Sequence, residues 1–328
     1  MKVSIKLCVI TAVVFFIPAV LFISCYAKLA VWYTDFNTAL AVAQAENKNI
    51  FLLFTGMEWD GISKDLSPAI FDTEEFKREA GKKYVLLHID IPDITAAAQS
   101  ETAAPEYRLA VNMSVQASPS ALLVTKAGQP FAFLPMTTET KTPADVLKLV
   151  RAEKKNERKI DTLYAKMQKT SGIDKVKATD AYIEAVPERF HITLTDLFSQ
   201  IIEADPENKS GLLGKYKLHK AFETASKAFH AGDIEGALNT FFILINEKGL
   251  LSPIETQHAY YALGFLSAQS GKIAQDEVIV YFRQAYDAAP DSEGAADLLS
   301  LIDSLSNAGN PAVQDSSPGL NQPVLKNK

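Results

Sequence analysis

The chain has 328 residues, 48% of them hydrophobic and 22% charged, which excludes a wholly disordered polypeptide and leaves room for two domains of ordinary size. The formal net charge is −6, so the basic footprint that nucleic-acid binding needs is missing and no nucleic-acid partner is expected. The two cysteines, Cys8 and Cys25, both lie at the N-terminal end, which excludes an internal disulfide, a CxxC redox pair or a cysteine zinc site from all that follows.

Lys2 and Lys6 precede an unbroken apolar run over residues 7–24, the charge-then-apolar order of an export signal or anchor. Pro18 falls inside the run, whose length is at the lower edge of what spans a bilayer. Three outcomes stay open. Ser24 before Cys25 resembles the end of a bacterial lipoprotein signal, with Cys25 as the lipidated residue, although Phe22 and Ile23 depart from the usual pattern. An uncleaved anchor and cleavage after Ala27 are the alternatives. Residues 1–27 are therefore expected to be a signal peptide or membrane anchor that places the rest in the cell envelope, facing the periplasm or exterior.

After a short extended stretch at residues 31–33, Phe36, Ala39, Leu40 and Ala43 mark one face of a helix. Residues 50–55 form a continuous apolar run of strand length, as in a strand buried on both faces. A turn over residues 56–61 leads to a helix from Ile62 that breaks or kinks at Pro68. Asp72 to Glu75 has capping-box character and opens a helix through Ala80, and residues 84–90 read as the next strand. Residues 93–106 are polar and alanine-rich, with a short helix expected near their end. Strands at 121–125 and 131–134 flank a turn at Ala127-Gly128-Gln129, and Thr142-Pro143 has the chemistry of a helix start. Strands that alternate with helices and end in a hairpin plus helix predict an α/β mixed sheet with flanking helices.

At this point the sequence resembles the thioredoxin-like family, especially its exported bacterial members. The resemblance is carried by Asn47 to Gly56, by Glu58-Trp59-Asp60-Gly61-Ile62-Ser63-Lys64, by Phe71 with Glu75-Phe76, by residues 85–90, and by Ser118-Pro119-Ser120 followed by residues 122–128. It implies a thioredoxin-like domain over residues 31–155. Family enzymes carry Trp-Cys-Gly-x-Cys between strand and helix, where the helix N-terminus favours a thiolate. Here Asp60 and Ser63 stand at the cysteine positions, so family-type thiol–disulfide activity is not expected. The plain reading of the pair is helix capping; a polar contact in a binding site and catalysis are the sharper ones. Pro119 matches the family's cis-proline, and the resemblance implies a peptide groove flanked by Trp59, Gly61, Ile62, Ser118 and Pro119. Trp59 is either an exposed peptide contact or a packed ring.

Other chemistry is weakly signalled. His88, His191, His219, His230 and His258 show no metal-ligand spacing, no nucleotide-binding or nucleophile-elbow motif occurs, and no cofactor or metal is expected. The run from Arg151 to Lys159 mixes both signs and reads as a solvated helix face. From Tyr216 the pattern is helix–turn–helix: Gly232-Asp233 with Phe241, then Leu263-Gly264, Gly271, Phe282, Ala285 and Pro290 resemble packing positions of tetratricopeptide repeats. The expectation is an all-α helical-hairpin domain over residues 156–306 and a disordered tail over 307–328. These features point to a non-enzymatic protein- or peptide-binding, chaperone-like or assembly factor, with protein partners in the cell envelope and membrane contact through the N-terminus. An oxidoreductase-related protein and a purely structural envelope lipoprotein stay open as alternatives.

Overall fold

The computed structural model describes residues 29–93, 105–137 and 139–308. The N-terminal segment with Cys8 and Cys25, and the tail after residue 308, lie outside the described residues. Strands β1 (Trp32–Tyr33), β2 (Asn49–Thr55), β3 (Tyr84–Asp90), β4 (Ser120–Val124) and β5 (Pro130–Leu134) form one sheet in the order β1-β3-β2-β4-β5. The first three are mutually parallel, and β4 runs antiparallel to both β2 and β5. Central β2 is buried at every position, which is why its sequence shows no polar alternation.

Helix α1 (Phe36–Glu46) is started by Asp35, which accepts the N–H of Thr38, and stopped by Asn47 in the left-handed region. After β2 comes α2 (Gly61–Leu66), then a π-helical turn over Ser67–Phe71 and α3 (Glu74–Gly81). Pro68 brings no N–H to the ladder, and the chain answers with a wider turn in place of a break: Asp72 N–H reaches back to Ser67 O at 2.8 Å. Because Asp72 closes that turn, the cap of α3 falls one residue later than the sequence suggests, on Thr73, whose Oγ1 accepts the Phe76 N–H. Phe71 and Phe76 then pack with Phe51 of β2 and Trp32 of β1, with ring centroids 5.2 to 6.4 Å apart. This aromatic box fixes the π turn and α3 to the sheet. The short helix expected before residue 106 is α4 (Pro105–Asn112), opened by proline and lying mostly beyond that limit. Helix α5 (Pro143–Ala152) begins with a capping box between Thr142 and Asp145.

The charged run that follows is not only a solvated face. It enters α6 (Lys154–Lys169), whose Ile160 and Met167 are buried and whose Glu157 accepts Asn49 Nδ2 at 2.8 Å and Tyr84 Oη at 3.2 Å. One carboxylate thus ties the starts of β2 and β3 to the helical region. Helices α7 (Gly172–Ala185) and α8 (Thr195–Ala204), joined by a 3₁₀ turn over Glu188–Leu194, continue the same apolar core as far as Tyr216. Helices α9 (Leu213–His230), α10 (Ile234–Asn246), α11 (Pro253–Ser270), α12 (Gln275–Ala288) and α13 (Ala295–Ala308) pack in sequence as antiparallel pairs around two further clusters. Gly264 lets α11 and α12 approach: a Cβ there would lie 2.8 Å from Cε1 of Phe282.

Candidate functional site

Because β4 runs antiparallel to β2, its first residue lies beside the end of β2, with Ser120 opposite Phe54. The end of β2, the end of β3 and the loop before β4 therefore meet at one edge of the sheet, where loop 56–60 turns into α2. The sequence-predicted residues Trp59, Asp60, Gly61, Ile62, Ser63, Ser118 and Pro119 all fall at this edge, and the Ser118–Pro119 bond is cis.

Asp60 is the N-cap of α2. Its Oδ1 accepts Ile62 N–H at 3.1 Å, and its Oδ2 accepts Ser63 N–H at 3.0 Å and the Ser63 hydroxyl at 2.6 Å. Ser63 is fully buried, and its Oγ also accepts Gly56 N–H at 3.2 Å. Ser118 Oγ lies 2.9 Å from Ser63 Oγ. Since the single Ser63 proton goes to the carboxylate, Ser118 is the donor in that contact. The two positions that the sequence resemblance places at the cysteines of family enzymes hold a carboxylate and a hydroxyl, joined in a chain from Asp60 through Ser63 to Ser118. Neither group can form or break an S–S bond.

Trp59 divides its surface between packing and solvent. Its indole N–H donates to Ile91 O at 2.7 Å, and its ring covers Gly56 so closely that a Cβ there would lie 2.3 Å from Cε2. The ring is still 38% exposed, and Ile62 on the first turn of α2 is 60% exposed. Gly61 has open space where a Cβ would stand. Among the described residues, neither the main-chain N–H nor the C=O of Ser118 has a hydrogen-bond partner.

A second polar cluster sits behind the loop. Buried Thr55 donates to Asp90 Oδ1 at 2.8 Å and accepts from His88 Nε2 at 2.7 Å, and the same Asp90 oxygen accepts Met57 N–H at 2.7 Å. This network assigns the His88 proton to Nε2. Burial pushes the His88 pKa down, with Asp90 and Asp72 opposing, so the ring is neutral near pH 7. The sequence reading left this cluster out. Its signal was the period-2 spacing of His88 and Asp90 on a strand, but the partner Thr55 comes from the β2–β3 register, in which Thr55 stands opposite Asp90. Among the described residues, no group of three His, Cys, Asp or Glu side chains is placed to hold a metal ion. Nor is any described helix long and apolar enough to cross a membrane.

The sheet order and the antiparallel return of β4 agree with a family model described as thioredoxin-like, which matches residues 31–125. This segment is a thioredoxin-like domain. Residues 212–311 match a second model, described as the C-terminal domain of an uncharacterised protein. An uncharacterised protein of Treponema pallidum (strain Nichols) is 24% identical over 272 residues, covering 83% of this chain and 88% of that protein. A solved structure named DsbH oxidoreductase is 22% identical, covering 38% of this chain and 85% of its own, with a TM-score of 0.32. The thioredoxin-like domain is thus coupled to a C-terminal helical region that a separate model describes.

Proposed function

We propose that this protein binds extended segments of partner proteins in the cell envelope, held to the membrane by its N-terminal segment, and that it does so without thiol chemistry. The observation that carries the reading is the composition of the sheet edge. Where the redox pair would work, Asp60 and Ser63 are used up in capping α2 and in holding Ser118, while the main chain of Ser118 has no partner among the described residues and lies at the same edge as half-exposed Trp59 and exposed Ile62. An open main-chain N–H and C=O next to apolar side chains is what an extended peptide needs: main-chain pairing supplies affinity and the flanking groups supply selection. The polar chain keeps that edge in place before a peptide arrives, which lowers the ordering cost of binding.

Reduced, carboxymethylated lactalbumin, an unfolded chain with blocked thiols, provides the test. The full chain in neutral detergent binds it saturably in calorimetry, equally with and without dithiothreitol, and Ile62→Asp removes the binding while leaving the melting temperature unchanged. Absence of binding, or binding that Ile62→Asp leaves intact, overturns the proposal.

A further inference from the structure

Far along the chain from the thioredoxin-like edge, two hollows of about 550 and 460 Å³ lie where the first turn of α10 faces α12. Both are lined by Asp233, Glu235 and Leu238, so they abut as one groove, open along its length. Its floor is apolar: Leu238 is buried, and Phe242 and Tyr281 meet edge to face with centroids 6.0 Å apart. Its rim is acidic. Asp233, Glu235 and Glu277 are exposed, and among the described residues none of them is in an ion pair with a lysine or arginine. Asp233 uses one oxygen to cap α10 through Gly236 N–H, and Glu277 accepts the Tyr281 hydroxyl, which leaves the second oxygen of each for a ligand. Among the described residues Lys272 is the one cation of the lining, and it contributes to the smaller hollow alone.

We infer that this groove docks a basic, extended peptide segment of another protein. Uncompensated carboxylates around an apolar floor select for lysine or arginine: the aliphatic stems lie on Leu238 and the two rings, and the charged heads meet Glu235, Glu277 and the free oxygen of Asp233. An acidic segment would bring like charges against the rim. The site shares no residue with the Trp59 edge and stands or falls separately from it.

The experiment is fluorescence anisotropy of a short labelled peptide in which two lysines flank a valine, titrated with the full chain in neutral detergent. The expected result is saturable binding that weakens as salt is raised and falls about tenfold or more in a Glu235→Lys/Glu277→Lys double variant. Ile62→Asp binds this peptide as tightly as the parent chain. If the charge reversal alters the melting temperature, the neutral pair Glu235→Gln/Glu277→Gln decides, with a smaller loss in the same direction. Equal binding of a peptide with glutamates for lysines, undiminished binding in both double variants, or no binding overturns the inference. So does binding seen only after truncation behind Ala308, since the groove would then hold this chain's own C-terminal residues, Lys326 and Lys328 among them.

Discussion

Asp60 is the residue on which the sheet edge turns. One carboxylate caps two N–H groups of α2 and orients the Ser63 hydroxyl, which in turn holds Ser118. Asp60→Ala removes all three bonds and leaves buried Ser63 without its acceptor; the expected cost is about 1–3 kcal/mol, read from urea denaturation. Asp60→Asn keeps an acceptor for the cap and is expected to cost less. The capping role can be read from residue type, because an aspartate at the head of a helix acts on groups two and three residues away. The tie to Ser118 spans 55 residues and depends on where β4 returns, so nothing local announces it. The same holds for Thr55 and His88, which sequence separates by 33 residues and strand register brings to 2.7 Å.

At the scale of elements, strands β2 and β3 and the start of α5 were legible because their signals are local: an apolar run of strand length, and threonine followed by proline. The π turn after α2 was not, since Pro68 forbids a regular helix without saying whether the chain breaks or widens. The approach of α11 and α12 gives a test of packing. Gly264→Val drives a branched side chain into Phe282, and overpacking of about 2 kcal/mol outweighs the gain in helix propensity. Phe282→Leu in the same chain is expected to recover part of the loss, so a double-mutant cycle shows positive coupling. A second test is electrostatic. His219 of α9 packs against Phe198 and Tyr216, with centroids 5.1 and 6.1 Å away, and its pKa is pushed down to about 4, by burial first and then by Lys215, His191 and His258, with Glu184 opposing. The folded chain resists a proton that the unfolded chain takes up near pH 6.5. Its contribution to stability is therefore complete above pH 6.5 and is lost as pH falls toward 4, on the order of 3 kcal/mol. His219→Phe is expected to flatten the fall in unfolding free energy across that window relative to the parent chain, and an equal slope would contradict it.

For the whole molecule, the sheet and the helices after it share one apolar core. Ile160, Met167, Val176 and Tyr182 belong to the same buried cluster as β2, and Asn156 donates to Phe131 O of β5 at 3.0 Å. A chain ending at residue 155 is expected to expose that surface and to aggregate or melt without a cooperative transition in circular dichroism, whereas the full chain melts cooperatively. The sequence read the start of α6 as a solvated face because charged residues dominate it, and only the partners of Glu157 and Asn156 show it clasping the sheet. This joint core holds the loop 56–60 and Ser118 on a rigid frame, the arrangement a preformed binding edge requires. The most direct test of that edge is hydrogen exchange of the Ser118 amide with and without bound carboxymethylated lactalbumin. The account predicts fast exchange in the free protein and marked protection in the complex, with the Trp59 indole signal shifting in parallel. An amide already protected in the free protein, or one that gains no protection at saturation, would contradict it.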